Sequence, residues 1–344
     1  MPILPFLLAA IVPVTVLALA ALAGGVWVWV ALAYVSVIAF LADELVAWPM
    51  APTDPEQGEF AANALSCALA GAHFGLLVLA VLAIAGAPGV GVGGQVAAFM
   101  AFGLYFGQVS IANAHELIHR PQRGLFSLGK WVFISLLYGH VTTTHRLLHH
   151  PYVATPQDPN FPPLGLSFYR YLPRSLWGNL REGYRIEAAR AARTGRANPY
   201  HTYLGGALMV LALAYGLAGW GGVGALVALG AYAQVQHAMV DYLQHYGLER
   251  ARLPDGRYAP QGPQHSWNSP HWFTSLMAVN VTRHSDHHAH PARIYPALRL
   301  EPGMPCLPYS LPAMGVIALF PRLWFKIMDR RVKDALAQAE GEHP

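Results

Sequence analysis

Residues 94–120 read GQVAAFMAFGLYFGQVSIANAHELIHR, a run of 21 residues without an acidic or basic side chain, then His115-Glu-Leu-Ile-His119, then Arg120, the first basic residue of the chain. A helix that crosses a bilayer takes about 20 apolar residues. Histidines four apart share one helix face. The stretch therefore reads as a membrane span that carries two imidazoles to its end. At 1.5 Å per residue, His115 lies roughly 30 Å along a helix that starts near Gly94, about the thickness of the hydrocarbon layer.

Further apolar runs lie near 6–24, 26–47, 62–86, 203–219 and 222–243, which gives six expected spans and an all-α integral membrane fold. The first run lacks the basic flank of a secretory signal and reads as a retained helix. Gly24-Gly25 and Gly221-Gly222 are expected to mark tight turns between neighbouring spans. The expected organisation is four spans in 1–114, a first cap segment in 115–202, spans five and six in 203–243, and a second cap segment in 244–344. The stretch 313–328, interrupted by Pro321, Arg322 and Lys326, reads as an interfacial helix.

Of 344 residues, 54% are hydrophobic and 12% charged, where a soluble domain is nearer a quarter charged. This excludes an ordinary soluble enzyme, a disordered chain and a nucleic-acid binder. The net charge of +4 hides an asymmetry: residues 1–119 balance at −6 and residues 120–344 at +10. Segments 115–202 and 244–344 carry 11 Lys/Arg each. The positive-inside rule places both in the cytoplasm, with both termini, the acidic loop 48–61 and the active site on the same side. The turns near 24, 88 and 220 carry no basic residue.

Sixteen of the 17 histidines lie at or after His115. Beside His115 and His119, a second cluster is His145-Arg-Leu-Leu-His149-His150 and a third is His284-Ser-Asp-His287-His288. His245 ends the last span, about 35 Å along from Gly222, so it emerges at the same face as His115. Imidazole suits Fe, Cu, Ni and Zn. These nine are too many for one ion, so two metals are expected. His73, His201, His237, His265 and His343 read as packing or surface residues, whereas His140, His271 and His290 lie close to the clusters. The first cluster also spells the HExxH of zinc proteases, which leaves seven imidazoles unexplained. Soluble carboxylate-bridged di-iron bundles use paired Glu-x-x-His motifs, and only Glu116–His119 fits one.

The clusters and their surroundings resemble the integral-membrane alkane monooxygenases, non-haem di-iron enzymes of the membrane desaturase–hydroxylase group. His115-Glu-Leu-Ile-His119-Arg120 is similar to the family's first box, which usually ends in Lys. Tyr138-Gly139-His140 precedes the second box, and Val153-Ala154-Thr155-Pro156 and Asp158-Pro159 follow it. Gln244-His245-Tyr246-Gly247-Leu248 resembles the HYG motif. His265-Ser266-Trp267-Asn268-Ser269 and Arg283-His284-Ser285-Asp286-His287-His288-Ala289 resemble the last block, and Trp324-Phe325, Met328-Asp329 and Val332 the C-terminal stretch. The likeness covers roughly 110–335. Thr144, Leu148 and Gln244 depart from it, standing where the family usually has Glu, Gly and Glu.

The resemblance implies O2-dependent hydroxylation of an alkane's terminal methyl group to a primary alcohol. His115, His119, His145, His149, His150, His245, His284, His287 and His288 would hold two irons, without saying which serves which. Asn113, Glu116, His140, Asp158, Asp241, Gln244, Asn268 and Asp286 are candidates to orient those ligands, Asp241 as a replacement for a missing Glu. Cys67 and Cys306 are too few for the four thiolates of an iron–sulfur centre, and Cys67 is expected to pack within its span. Electrons must then come from another protein, which the resemblance suggests is rubredoxin with its reductase. Arg170, Arg174, Arg181, Arg185, Arg190, Arg193 and Arg196 could dock such a donor or attract anionic lipid. The expected partners are thus rubredoxin, membrane lipid and an apolar small molecule, without nucleic acid, at the inner (plasma) membrane. Related alternatives are hydroxylation of an aromatic methyl group, as in xylene monooxygenases, and a fatty-acyl desaturase or hydroxylase.

Overall fold

The computed structural model describes residues 3–46, 55–86 and 91–341. Residues 48–54 of the expected acidic loop, the turn near 88 and His343 lie outside the described residues, and 55–61, expected as loop, are helical. Among the described residues, the regular elements are all helices, with only two isolated β-bridges. Five helices are long and apolar enough to cross a membrane. They are α1 (Leu4–Ala23), α2 (Val26–Leu45), α3 (Pro55–Ile84, apolar from Gly58), α4 (Val92–Ile118) and α8 (Tyr200–His245). Between α4 and α8 lie α5 (Arg123–Ser135), α6 (residues 141–152) and α7 (Phe168–Thr194). After α8 come α9 (Trp272–Met277), α10 (His284–Ala289), α11 (Leu311–Ala318) and α12 (Pro321–Gly341).

α1 and α2 meet at Gly24 and Gly25, with φ of 61° and 55°. Side chains with a Cβ rarely tolerate two such residues in succession, so this turn depends on glycine. The second expected turn sits elsewhere. Gly221-Gly222 is helical, and the break in α8 falls at Ala218 (φ −150°) and Gly219 (φ 56°). Gly222 instead lets the two arms approach, because a Cβ there would lie 2.2 Å from the Ala214 carbonyl oxygen. Gly206 abuts Ile134 while Gly230 abuts Leu136. In a straight helix those glycines would be about 36 Å apart, so the chain turns back on itself at the break.

Small residues also seat α8 against α4. A Cβ on Gly103 would meet the Tyr232 ring at 2.4 Å, and one on Gly107 the Gln236 amide at 2.4 Å. Gln236 Nε2 donates to the Gly103 carbonyl at 2.8 Å. Such close approach is how helices pack where lipid supplies no hydrophobic drive. α2 is tied to the later chain by a carboxylate. Asp43 accepts from the backbone N–H groups of Phe273 (2.7 Å) and Thr274 (3.2 Å) and from the Thr274 hydroxyl (2.6 Å). It thereby serves the unpaired donors at the start of α9.

The expected C-terminal interfacial helix is two pieces, parted before Pro321. α11 packs on α8, and Trp324, Met328 and Val332 of α12 are buried with Tyr242 and Tyr246. Cys67 points outward from α3 and is exposed, contrary to the packing expected of it.

Candidate metal centre

α4 holds a π-helical turn at Phe106–Ser110 and then continues to Ile118. His115 lies in its last turn and His119 follows as its cap. α6 supplies the second box from another π-helical turn, His145–His149. α8 brings His245 as its last residue, and α10 is the short α-helix of the third box.

The nine imidazoles converge, and they divide into two groups. Potential donor atoms of His115, His119, His145, His150 and His287 lie within 4.8 Å of one another, as do those of His149, His245, His284 and His288. The partition follows local helix geometry. In α10, an ordinary helix, His284 and His288 at i,i+4 pair, with Nε2 atoms 3.0 Å apart, and His287 falls to the other group. In α6 the i,i+4 spacing of His145 and His149 predicts that they pair, but they separate. The π-turn is wider, with i→i+5 bonding. It brings the Nε2 atoms of His145 and His150 within 2.9 Å and sends His149 to the other group.

The arrangement fits a pair of metal ions. Nε2 of His115 is 2.7 Å from that of His145, and His284 Nε2 is 2.9 Å from His245 Nε2. Imidazole donors about 2.1 Å from a common centre and at right angles would lie about 3 Å apart. Nε2 of His119, His149 and His287 is buried without a protein partner. Thus all nine Nε2 atoms face either another imidazole of the set or no protein group. Buried polar atoms are normally paired, so this concentration of orphans points to ligands. Protonation agrees. Burial, reinforced by neighbouring imidazoles, holds His119, His145, His150, His284, His287 and His288 well below the ordinary histidine range. They are neutral, the form that binds metal. His149 differs. Burial pulls it down, but the Asp158 charge and hydrogen bond more than offset this and raise it.

Asp158 is the one acidic candidate that touches a clustered histidine: its Oδ2 accepts from His149 Nδ1 at 2.8 Å, and both side chains are fully buried. Asn268 anchors α10, accepting from Ser285 N at 3.0 Å and donating to the Pro305 carbonyl at 2.9 Å. Asp286 holds the following loop through Arg293 (2.6 Å), His290 (3.0 Å) and Arg299 N (2.8 Å). Glu116 is bound by Arg120 and accepts from Tyr295 N at 3.1 Å. Arg120 itself donates to the Ala292 carbonyl at 3.0 Å. Glu116 is therefore committed to that loop, away from the role of base that a zinc protease requires. Gln244 donates to the Val281 carbonyl at 3.0 Å, and Asn113 ties α4 to Ser66 of α3 at 2.9 Å. His140 lies apart from both groups.

A cavity of about 750 Å³ opens between α2, α4, α8, α9 and α11 and reaches the imidazoles. Apolar residues such as Val37, Phe40, Leu104, Val316 and Leu319 form most of its wall, and its inner end is marked by His115, His145 and His284, so it meets both groups. Phe40, Val316 and Leu319 are exposed on the outer surface. Asp241 and His237 are among the polar residues of the wall. Asp241, the candidate replacement carboxylate, stands 3.8 Å from His237 Nδ1, and His237 also meets the Tyr138 hydroxyl at 3.3 Å. His237 was expected only to pack. Its signal was its position four and eight residues before Asp241 and His245, on one face of the same helix.

Of the arginine series, Arg170, Arg174, Arg181 and Arg185 are exposed on α7, the last two lying 3.7 and 2.9 Å from Glu182.

A family model described as fatty acid desaturase matches residues 90–301. Alkane 1-monooxygenase 2 of Pseudomonas aeruginosa is 35% identical over 255 residues, which is 72% of this chain and 67% of that protein. Alkane 1-monooxygenase of Acinetobacter baylyi is 35% identical over 229 residues, 65% of this chain and 56% of that one. Alkane 1-monooxygenase 2 of Alcanivorax borkumensis is 31% identical over 326 residues, 92% and 85% of the two chains.

Proposed function

Because this chain belongs to the fatty acid desaturase family, and within it to the alkane 1-monooxygenases, we propose that it hydroxylates the terminal methyl group of alkanes in an O2-dependent reaction. The observation that carries this reading is the apolar cavity that ends on both imidazole groups. A terminal C–H bond offers no acid or base a foothold, so the protein needs an apolar approach to a redox centre.

Two irons are the proposed metals. His115, His119, His145, His150 and His287 would hold one, and His149, His245, His284 and His288 the other. Bound iron would supply the reduction of O2 and the oxidation of the C–H bond. The chain's own residues perform the rest. Asp158 accepts a hydrogen bond from His149 Nδ1–H, which leaves Nε2 as the metal-binding atom and fixes the ring. Asn268 and Asp286 hold the backbone on either side of the third box. The cavity wall excludes water and binds an alkyl chain by dispersion and desolvation. Each buried methylene contributes about 0.8 kcal/mol, so cavity length governs chain-length preference.

The two arms of α8 are proposed as spans five and six, with residues 115–202 and 244–344 as one cytoplasmic cap in the inner membrane. Two electrons per turnover come from an external donor, for which rubredoxin with its reductase is the proposed source.

The test is co-expression with rubredoxin and its reductase, with n-alkanes, methyl-aromatics and acyl substrates fed separately. Products are identified by mass spectrometry and iron is counted in the purified protein. Primary alcohols from alkanes and two irons per chain are expected. Zinc in their place under iron-replete growth, with no oxidation of any substrate, refutes the reading. Preferential oxidation of methyl-aromatics reassigns the substrate.

A further inference from the structure

A second cavity, of about 390 Å³, lies mainly against the first arm of α8 and plays no part in the proposed chemistry. Its walls are Pro173, Leu176, Trp177 and Leu180 from α7, and Tyr203, Leu204 and Ala207 from the first turns of α8, with Leu137 and His140 at its base. Trp177 is 65% exposed and Leu204 63% exposed, so the groove opens sideways. It lies where a candidate span begins, which is the depth of the lipid headgroups. Exposed Tyr169, Trp177 and Tyr184 along α7 match the aromatic belt of a membrane interface.

The rim is basic. At 100° per residue, Arg170, Arg181 and Arg174 project within about 60° of Trp177 around the helix, on the side away from Leu180. Arg170 and Arg174 form no ion pair among the described residues, and only Arg181 has a carboxylate, Glu182, 3.7 Å away. An apolar slot with an arginine rim at the headgroup level is complementary to one class of molecule. Its acyl chain enters between Trp177 and Leu204, and its anionic phosphate meets the guanidiniums.

We propose that this groove is a binding site for an anionic phospholipid, with the acyl chain between α7 and the first arm of α8 and the headgroup on Arg170, Arg174 and Arg181. The same phosphate chemistry could come from free phosphate, but that ion would leave the apolar slot unused.

The experiment is native mass spectrometry of the full chain released from nanodiscs of mixed phosphatidylglycerol and phosphatidylcholine. An arginine near a headgroup is worth about fivefold in partitioning. The wild type should retain phosphatidylglycerol selectively, and R174A/R181A should lower that selectivity about 30-fold. A207W, which fills the slot and leaves the arginines, should abolish retention of the lipid. R330A/R331A, two exposed arginines of α12, should change neither. Inorganic phosphate should not displace the lipid. The proposal is overturned by equal retention of both lipids, by an equal effect of the α12 variant, or by displacement with phosphate alone. It is also overturned if R174A/R181A slows donor-dependent turnover while lipid retention stays intact, since the arginines then serve a protein partner.

Discussion

Replacing Asp158 by Asn tests the metal centre where its geometry is most specific. The carboxylate and His149 are both fully buried, 2.8 Å apart, and Asp158 also accepts from Asn160 N at 2.9 Å. Asn keeps the shape and one acceptor, so the fold should persist. What disappears is the charge that orients the ring and raises its basicity. Loss of such a partner typically lowers metal affinity or activity 10–100-fold, about 1.4–2.7 kcal/mol. The loss should fall on the group of His149, His245, His284 and His288. D158N should therefore retain close to one iron per chain after mild chelation, where the wild type should retain the two proposed.

Protonation gives D158N a second readout. Asp158 keeps the His149 ring doubly protonated to higher pH than its buried neighbours, and a metal must displace the proton on Nε2. In the wild type, binding to this group should weaken as pH falls through the raised value for His149. In D158N the plateau affinity should drop while its onset of acid weakening shifts to lower pH. Metal titration by isothermal calorimetry between pH 8 and 5.5 measures both. An affinity within threefold of wild type, with an unmoved pH onset, refutes the assigned role. A loss shared equally by both metals would refute the partition into two groups.

Three further outcomes are expected. Gly107→Val should push the Gln236 amide toward the cavity, since a Cβ there meets it at 2.4 Å; competition between alkanes of graded length should show long chains losing more kcat/KM than short ones. Asp43→Ala removes the side-chain partners of Phe273 and Thr274 at the start of α9 and should cost about 1–2 kcal/mol, seen as a melting temperature lower by a few degrees with iron content kept. Metal-free protein should lose stability as pH falls below about 6.5, because His119, His145, His150, His284, His287 and His288 are held neutral when folded and take up protons when unfolded. His149, raised when folded, opposes this: its contribution is full below about pH 6.5 and fades as pH rises through its folded value. Thermal scans of apoprotein from pH 8 to 5 should show the six outweighing the one.

How much of this could be read beforehand depended on the range of each interaction. The apolar runs and the identity of the nine clustered histidines were legible because both are local patterns, one of span length and one of helical spacing. The reversal in α8 was legible to within a few residues, but Gly221-Gly222 was read as the turn when its glycines serve close packing instead. Glycine pairs have two uses in membrane helices, and composition does not separate them. The tie from Asp43 to α9 spans about 230 residues and left no local trace, since an acidic residue near a span end looks like an ordinary loop charge. His237 reads as a lone packing histidine, although its register with Asp241 and His245 is a local pattern.

The partition of the histidines shows why counting ligands was easier than assigning them. Both the second and third boxes contain an i,i+4 pair, and on an ordinary helix each pair should act together. The third box does so, with His284 beside His288. In the second, one π-helical turn replaces the ordinary repeat, His145 joins His150, and His149 crosses to the other group and to Asp158. A π-turn costs backbone hydrogen-bond geometry and persists where function or packing repays it. Here it spreads three neighbouring imidazoles over two centres within six residues, which a regular helix could not do with the same spacing. If that argument holds, removing one residue within 146–148 restores the ordinary repeat with the His-x-x-His-His spacing of the third box, in which the i,i+4 pair shares one group and the middle histidine joins the other. The deletion variant should then keep metal in both groups, while H149A loses it from one.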